Sequence, residues 1–362
     1  MTAKKALIGM SGGVDSSVAA YLTQKAGFDC IGATMRLYDN EMLDRDPAGT
    51  CCSLDDVEDA RSVARRMGIP HYVFNFREDF EEKVIQAFVR SYEQGRTPNP
   101  CIDCNKFLKF DRLLRRAMEL GCDYVVSGHY ARIQQDPTTG RYLLYKAADP
   151  AKDQTYFLAC LDQNQLAHIQ FPLGELTKAQ VREIAEEQGF VNARKHDSQD
   201  ICFVPDGDYA AFLTRYTGKS YPEGDYLDLN GKVIGRHRGA VCYTLGQRKG
   251  LGIALGAPAY VCAKNMEKNT VTLGPNEALF SPALRADHWN WYPFPALSES
   301  IQVTVKTRHS QLEVPATVYP EENGFARVEF HSKQRAVTPG QAVVLYQGDI
   351  VIGGGTITEA IY

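Results

Sequence analysis

The chain has 362 residues, 44% of them hydrophobic and 23% charged, a composition that indicates a folded protein of more than one domain and excludes a disordered chain. Its formal net charge of −4 lacks the basic excess typical of non-specific nucleic-acid binding. The sequence contains neither a signal-peptide pattern nor a membrane-spanning apolar run, which predicts a cytoplasmic protein with no membrane partner. In that compartment the ten cysteines are expected to be reduced thiols.

The first third of the chain alternates short apolar runs with segments of helical periodicity. Strands are predicted at 5–10, 30–35, 71–76 and 124–127, and helices at 16–25, 54–67, 80–92 and 107–120. This order predicts an α/β fold with a doubly wound parallel sheet. A hairpin is predicted from 130–135 and 142–146, and Thr177 is the predicted cap of a later helix.

The character of the sequence changes near Tyr209, where glycine and tyrosine become frequent. Beyond Pro282 the apolar residues recur at every second position, as in Ile301, Val303 and Val305. We therefore predict a small central domain followed by a C-terminal antiparallel β-barrel. The predicted domains are a catalytic domain at 1–208, the central domain at 209–281 and the barrel at 282–362.

The segment GMSGGVDSSV, residues 9–18, follows the first strand and precedes the first helix. A helix N-terminus with free backbone N–H groups binds phosphate. Gly12 and Gly13 can take positive φ angles that let the main chain approach an anion closely, and the hydroxyls of Ser11, Ser16 and Ser17 can add donors. The loop contains no lysine, and Asp15 would repel phosphate, which points to a magnesium ion between the carboxylate and a pyrophosphate. The competing interpretation is an ordinary glycine-rich turn capped by Asp15 or Ser16.

Two polar segments far apart in the sequence carry three thiols. The segment TPNPCIDCNK carries Cys101 and Cys104 after a proline-flanked turn and just ahead of a predicted helix, where the helix dipole lowers a thiol pKa. The segment DSQDICF carries Cys202. One thiol that holds a persulfide and another that attacks it would form a sulfur relay.

With these motifs in view, the chain resembles the tRNA-specific 2-thiouridylase family of the ATP-pyrophosphatase superfamily. The resemblance spans nearly the whole chain and rests on these strings: GMSGGVDSSV, GRTPNPCIDCNKFLKF, SGHYAR, KDQTYFL, SQDICF, YTLGQRKGLGI and AVTPGQ. It implies an adenine nucleotide alpha hydrolase-like fold and an ATP-dependent transfer of sulfur to C2 of the wobble uridine of tRNA. It also implies a persulfide-donating sulfur carrier protein or cysteine desulfurase as partner, and a transient disulfide.

The resemblance assigns roles to particular positions. Cys104 corresponds to the family's nucleophile and Cys202 to its persulfide carrier. The positions that correspond to the ATP site are Gly9, Met10, Ser11, Gly12, Gly13, Val14, Asp15, Ser16, Met35 and Gly128. The positions that correspond to tRNA contacts are Asn99, Pro100 and Cys101 at the target base, with His129, Lys152, Asp153, Gln154, Arg308, His309 and Gln341 elsewhere on the tRNA. ATP and Mg²⁺ are the implied cofactors, with no resident metal site.

At one position the sequence departs from the family. Relatives carry an aspartate where this chain has Cys101. The exchange leaves open a rival route, in which Cys101, Cys104 and Cys202 hold three irons of a [4Fe-4S] cluster and the open iron binds the attacking sulfide. Two further functions match parts of the sequence, a small-molecule ATP-pyrophosphatase ligase and a thioredoxin-type redox protein. The polar stretch 39–50 is a predicted flap over the site, and Cys51-Cys52 a predicted helix entry near the nucleotide.

Overall fold

A computed structural model describes residues 3–38, 54–195 and 201–362. The predicted flap at 39–50, Cys51, Cys52 and the polar residues 197–200 lie outside the described residues. Across the described ranges, none of the helices combines the length and the apolar character needed to cross a membrane.

The elements of the first domain follow the predicted alternation. In chain order they are β1 (Lys5–Gly9), α1 (Val14–Lys25), β2 (Asp29–Arg36), α2 (Leu54–Met67), β3 (His71–Asn75), α3 (77–93), α4 (100–119), β4 (Tyr124–Val126), β5 (Arg132–Gln135), β6 (Tyr142–Tyr145), α5 (Thr155–Leu158), α6 (Gln163–Ala167), β7 (Ile169–Gln170) and α7 (Lys178–Glu187). Five of the strands form one sheet in the order β3-β2-β1-β4-β7, and every pair in it is parallel.

Alternate residues of the central strand β1 face opposite sides of this sheet. Leu7 packs into a hydrophobic cluster with Phe80 and Phe88 of α3, whereas Ile8 packs into a second cluster with Val18 of α1 and Val63 of α2. Because helices cover both faces, the sheet is doubly wound, as the sequence predicted. The loop of residues 10–13 and the end of β4 lie together at the carboxyl edge, where folds of this class bind ligands.

Helix α4 begins earlier than its sequence pattern predicts. The Oδ1 atom of Asn99 accepts a hydrogen bond from the Cys101 N–H at 3.2 Å, and Pro100 occupies the first helical position. The CIDC segment therefore lies inside the first turns of the helix, not ahead of it. From Cys104 to Arg112 the helix is π-helical, and the side-chain amide of Gln165 donates to the carbonyls of Lys106 and Phe110.

The rest of the chain forms a central unit and a barrel. The central elements are α8 (Tyr209–Thr217), β8 (Gly224–Leu227), β9 (Val233–His237), β10 (Tyr260–Asn265) and β11 (Thr270–Gly274), with sheet order β10-β11-β8-β9. The barrel strands are β12 (Phe280–Trp291), β13 (Ile301–Lys306), β14 (Val314–Pro320), β15 (Ala326–Arg335), β16 (Ala342–Gln347) and β17 (Ile350–Ile361). Their order is β12-β15-β14-β13-β16-β17, and a pairing of β12 with β17 closes the barrel. The predicted antiparallel barrel is confirmed.

The barrel is attached to the first domain at several points. The predicted hairpin β5–β6 joins the barrel sheet, since Tyr145 pairs with Ile350. The turn before β16 contacts the segment ahead of α4: the Thr97 N–H donates to the Pro339 carbonyl at 3.0 Å, and the Gln341 amide donates to the Thr97 carbonyl at 2.7 Å. The start of α4 is thus held from the barrel side.

Candidate active site

The loop between β1 and α1 is held by its own serines. Gly12 has a positive φ of +75°, whereas Gly13 has a φ of −87° because it is the extended cap residue of α1. The Ser16 and Ser17 hydroxyls donate to the Gly13 carbonyl at 2.9 and 3.1 Å, and the Ser11 N–H donates to the Ser16 oxygen at 3.2 Å. These hydroxyls therefore shape the loop itself in this structure.

Two glycines allow the backbone to pack closely around this loop. A Cβ atom on Gly12 would lie 2.4 Å from the carbonyl oxygen of Asp56 in α2. A Cβ atom on Gly128, which follows β4, would lie 2.6 Å from the carbonyl carbon of Asp15. No larger residue fits at either position, so β4 and α2 fix the loop from two sides.

A buried asparagine completes the loop. Asn192 is 2% exposed, and its Nδ2 atom donates to the Gly12 carbonyl and to the Ser17 hydroxyl, each at 2.9 Å. Its Oδ1 atom is buried and has no hydrogen-bond partner among the described residues. A buried acceptor without a partner is costly, and a bound polar ligand would satisfy it. Nearby, Lys195 bonds Asp56 and Asp59, each at 2.7 Å, and joins α2 to the same segment.

Asp15 is already paired with a cation. The Lys178 Nζ atom lies 2.7 and 2.8 Å from the two carboxylate oxygens of Asp15, and the Tyr130 hydroxyl donates to one of them at 2.8 Å. The sequence suggested this carboxylate as a magnesium ligand. In this structure the partner of the carboxylate is a lysine from α7, and a role for Asp15 with magnesium stays a prediction.

The two methionines predicted for the ATP site lie at the ends of β1 and β2. Met10 is buried on the α1 face, and its carbonyl accepts a hydrogen bond from the Thr34 hydroxyl at 2.8 Å. Met35 is partly buried against the opposite cluster. The Nε2 atom of His71 lies 2.9 Å from the Thr34 hydroxyl, and burial lowers the pKa of this histidine.

The two predicted sulfur-transfer cysteines pack against one hydrophobic cluster. Cys104, 9% exposed, belongs to it, and the partly buried Cys202 lies against it. The Tyr38 hydroxyl donates to the Cys202 carbonyl at 3.4 Å. Phe203 anchors this segment, since its ring centre lies 5.7 Å from that of Phe80 and 5.3 Å from that of Phe88. Cys101, by contrast, is exposed.

The described part of the chain gathers no set of three or more His, Cys, Asp or Glu side chains that could hold a metal ion. The relay and the cluster held by Cys101, Cys104 and Cys202 both stay predictions. Burial raises the pKa of several other thiols, to about 11 for Cys30 and to about 12 for Cys160. Those two thiols suit a structural role.

Asp103 lies between the two cysteines of α4 and was not singled out by its sequence pattern. Burial raises its pKa from 3.8 to about 6, and the nearby Lys106 opposes that rise. The carbonyl of Ile102, the residue before Asp103, accepts a weak hydrogen bond from the Cys160 thiol. A carboxyl that titrates near neutral pH beside the Cys104 position is suited to proton transfer.

The raised pKa of Asp103 predicts a pH-dependent gain in stability for Asp103→Asn. The folded protein holds this proton up to about pH 6, whereas the unfolded chain loses it near 3.8. Stability is therefore lost as the pH rises between these values, and the ionised carboxylate destabilises the fold above them. We expect the variant to be more stable by about 2 kcal/mol at pH 8 and equal to wild type at pH 4. Urea unfolding at both pH values measures this, with the exposed Glu267→Gln as control; an equal gain at both would contradict it.

The predicted tRNA-contact residues are mostly anchored within the protein. His129 lies 2.8 Å from the Ser127 hydroxyl, and burial holds its pKa well below the usual range. The Gln154 Oε1 atom accepts from the Tyr130 N–H. Asp153 accepts from the Ala147 N–H at 3.0 Å and from the Thr155 hydroxyl at 2.6 Å. Lys152 is partly buried beside them.

On the barrel side, the Arg308 guanidinium donates to the Ala336 carbonyl at 2.7 Å and to the Thr338 hydroxyl at 2.9 Å. The His309 ring packs against that of Phe157 in a tilted arrangement, with ring centres 4.4 Å apart. The contact of His309 with Phe157 and that of Gln341 with Thr97 join the barrel to the segments around α4 and α5, whereas those two hydrogen bonds of Arg308 stay on the barrel side. Two of the predicted tRNA contacts on the barrel thus lie against the first domain.

Sequence reasoning missed Lys178, Asn192 and Asp103. Lys178 follows a recognised helix cap, Thr177, but its partner Asp15 is 163 residues away. Nothing in a single sequence pairs them. Asp103 could have been found from its place inside the CIDC motif.

A glycine-fixed loop at the carboxyl edge of a doubly wound sheet is typical of enzymes that bind nucleotides. Three family models match the chain: "tRNA methyl transferase HUP domain" at residues 4–206, "tRNA methyl transferase PRC-barrel domain" at 210–275 and "Aminomethyltransferase beta-barrel domain" at 281–357.

Full-length relatives are more specific. Proteins named tRNA-specific 2-thiouridylase MnmA are 50% identical over 359 residues in Clostridioides difficile, covering 99% of each chain, and 50% identical over 358 residues in Acetivibrio thermocellus, covering 99% of this chain and 100% of the relative. The chain belongs to the tRNA-specific 2-thiouridylase family. A solved 4-thiouridine synthetase–RNA complex with bound ATP matches 56% of this chain and 45% of its own, at 17% identity and a TM-score of 0.35.

Proposed function

We propose that this protein is a tRNA 2-thiouridylase, which uses ATP to replace the C2 oxygen of a wobble uridine by sulfur. The observation that carries the proposal is the combination of a phosphate-binding loop, fixed by Gly12 and Gly128, with Cys104 and Cys202 packed on one cluster of the same domain. Family membership at half identity over the full length supports it.

In the first step, the uridine O2 attacks the α-phosphorus of ATP and pyrophosphate leaves. The loop of residues 9–16 would hold the leaving pyrophosphate by its backbone N–H groups and the positive end of α1. Since this step releases pyrophosphate and transfers no γ-phosphoryl group, the loop needs no lysine of its own. Mg²⁺ would arrive bound to the ATP phosphates, and its charge would favour departure of the pyrophosphate.

In the second step, the terminal sulfur of a persulfide on Cys202 attacks C2, and AMP leaves. The Cys104 thiolate then attacks the inner sulfur of Cys202. The bond between the two persulfide sulfurs breaks, its electron pair leaves with the 2-thiouridine, and a Cys104–Cys202 disulfide forms. An external thiol reduces this disulfide with two electrons, and a persulfide-donating carrier protein or desulfurase reloads Cys202.

The proposed tRNA contacts surround this chemistry. Asn99, Pro100 and Cys101 would meet the target base, because they form the first turn of α4 next to Cys104. A flipped base has to leave its stack to reach such a site. The remaining predicted positions, among them His129, Gln154, Arg308 and Gln341, would contact the rest of the tRNA. We retain the division of the chain at 208 and 281 and a cytoplasmic location as proposals.

The test is thiolation of unmodified tRNA in vitro, with ATP, magnesium and a persulfide donor. We expect 2-thiouridine in digested tRNA that carries a wobble uridine, and pyrophosphate release that depends on that tRNA. The matched control is the same transcript with cytidine at the wobble position. Pyrophosphate release that needs an amino acid or a free nucleotide, and not tRNA, would overturn the proposal in favour of a small-molecule ligase.

The same preparation distinguishes the relay from a cluster. After anaerobic purification, iron and labile sulfide are measured beside thiolation activity. The relay requires activity in iron-free protein. Activity that follows the iron content and is lost in Cys101→Ser would replace the relay by the cluster.

A further inference from the structure

The CIDC segment of α4 carries a thiol that the proposed relay does not use. The transfer needs Cys104 and Cys202, and it gives Cys101 no part in the sulfur chemistry. The relay ends with a Cys104–Cys202 disulfide, which has to be reduced by two electrons from an external thiol before Cys202 can be reloaded. The rate of turnover therefore depends on how a reductant reaches that disulfide.

The two sulfur-transfer cysteines are shielded from solvent. Cys104 is 9% exposed and belongs to a hydrophobic cluster, and the partly buried Cys202 packs against the same cluster. Thiol–disulfide exchange requires that the attacking thiolate reach one of the two sulfurs, so burial of both slows an external reductant. Cys101, in contrast, is exposed at the start of the same helix. The most accessible of the three thiols is thus the one that the relay does not use.

Cys101 and Cys104 have the spacing that a disulfide within one helix requires. They are three residues apart in the first turns of α4, whose first helical residue is Pro100. Helix geometry puts Cα atoms at this spacing about 5 Å apart, inside the range of about 4.4–6.8 Å found in disulfides. Their Cβ atoms, about 5–6 Å apart in a regular helix, have to approach to about 4 Å. The first turn can tighten, because the first N–H groups of a helix make no bonds within it.

The segment ahead of Cys101 is fixed, so this thiol stays close to Cys104. The Asn99 side chain accepts a hydrogen bond from the Cys101 N–H at 3.2 Å, and the Asn99 carbonyl accepts one from the Ile102 N–H at 3.1 Å. Thr97, two residues further ahead, is hydrogen-bonded to the barrel. A thiol held next to its target attacks as an intramolecular group, at an effective concentration far above that of an external thiol.

A second thiol near this turn is not suited to the same step. The Cys160 thiol donates to the carbonyls of Ile102 and Phe157, each at 3.6 Å, and burial raises its pKa to about 12. Only the thiolate attacks a disulfide, and at neutral pH almost none of Cys160 is in that form. Cys160 therefore suits a structural role and provides a nearby control.

We propose that Cys101 is the resolving thiol of the relay, which moves the disulfide from the buried pair to the exposed first turn of α4. The Cys101 thiolate attacks the Cys104 sulfur, and the Cys104–Cys202 bond breaks. Its electron pair leaves with Cys202, which takes up the proton that Cys101 has lost, and a Cys101–Cys104 disulfide forms. This exchange involves no net oxidation or reduction, and it frees Cys202 for the next persulfide.

The two electrons come from an external dithiol. One of its thiolates attacks the exposed Cys101 sulfur and forms a mixed disulfide, while the electron pair of the broken bond leaves with Cys104. The second thiolate then displaces Cys101, and the dithiol leaves as a disulfide. The inference rests on the proposed sulfur transfer and adds the step that regenerates the enzyme.

The test maps the disulfides of iron-free protein after one turnover without reductant. Protein with a persulfide on Cys202 is mixed with ATP, magnesium and unmodified tRNA, quenched in acid and alkylated, and its peptides are analysed by mass spectrometry. We expect mainly the Cys101–Cys104 disulfide in wild type and the Cys104–Cys202 disulfide in Cys101→Ser. The yield of 2-thiouridine from this first turnover should be the same in both.

Steady-state thiolation with excess persulfide donor and dithiol gives a second readout. We expect Cys101→Ser to turn over at least about 10-fold more slowly than wild type, because the dithiol then has to reach the buried disulfide directly. Since Cys101 is exposed, serine should leave the unfolding temperature unchanged. The matched control is Cys160→Ser, which removes a neighbouring thiol and should keep both the first turnover and the steady-state rate.

Wild-type protein that holds only the Cys104–Cys202 disulfide, or a Cys101→Ser protein that turns over at the wild-type rate, overturns the proposal. Loss of the first turnover in Cys101→Ser also overturns it, since Cys101 would then act in the transfer itself or hold iron. Limited oxidation with diamide needs neither ATP nor tRNA and separates this proposal from the proposed function. If it gives Cys101–Cys104 in wild type and Cys104–Cys202 in Cys101→Ser while no 2-thiouridine is formed, only the proposed function fails. If neither disulfide forms and no 2-thiouridine is made, both fail.

Discussion

Cys202→Ser is expected to abolish sulfur transfer while ATP-dependent pyrophosphate release continues. A serine hydroxyl cannot carry a persulfide, so the expected loss of 2-thiouridine formation is at least about 1,000-fold. Cys104→Ser should cause a similar loss, because the bond between the two persulfide sulfurs is not broken and the tRNA stays linked to Cys202 through that disulfide. Mass spectrometry of nucleosides measures the loss of 2-thiouridine, and a covalent protein–tRNA species on a non-reducing gel, released by an added thiol, measures the trapped intermediate.

The matched control for these variants is Cys262→Ser. Cys262 is a partly buried free thiol in β10 of the central sheet, and burial raises its pKa. The control variant should thiolate tRNA at the wild-type rate. Multiple turnover by Cys202→Ser with the persulfide donor would contradict the assignment of the carrier.

Gly12→Ala is expected to remove ATP binding and to destabilise the first domain. The new Cβ would lie 2.4 Å from the Asp56 carbonyl oxygen, and the residue has a φ of +75° that alanine adopts only with strain. To relieve the overlap, either the loop or the start of α2 has to move. We expect an affinity for ATP reduced by about 100-fold or more and a stability lower by about 2–4 kcal/mol.

Gly68→Ala separates the two causes. Gly68 has a φ of +69°, but nothing lies within 4 Å of its Cβ position. This variant should show the backbone strain alone, a loss of about 1 kcal/mol with ATP binding intact. If Gly12→Ala behaves like Gly68→Ala, the close approach of α2 to the loop is not important for the site.

The sequence predicted the parts of the fold that depend on local periodicity. Leu7 and Ile8 indicate a strand buried on both faces, and Val303 and Val305 indicate a barrel strand with one buried face. The prediction failed at the start of α4, where Asn99 and Pro100 look like a turn and in fact cap a helix. Caps and turns use the same residue types, so a single sequence does not separate them.

The parts of the candidate site that lie in short sequence motifs could be predicted. The parts that depend on contacts between residues distant in the sequence could not. The loop, Cys104 and Cys202 are visible as strings. The pairing of Lys178 with Asp15 and the insertion of Asn192 under the loop arise from tertiary packing, because each joins residues more than 160 positions apart. The attachment of β6 to the barrel has the same origin, since Tyr145 pairs with Ile350 and the Lys146 N–H donates to the Asp349 carbonyl, about 200 positions along the chain.

The contact of Pro339 and Gln341 with Thr97 means that the proposed sulfur-transfer site depends on the barrel as well as on the first domain. The helix that carries Cys104 starts three residues after Thr97, yet Thr97 is held by hydrogen bonds from a segment near the other end of the chain. A barrel that served only to extend the tRNA surface could be exchanged between relatives. This barrel supports the helix of the proposed sulfur transfer, so substitutions in its turn and in the TPNP segment have to be compatible with each other. A chimaera of two relatives should therefore take both segments from the same parent.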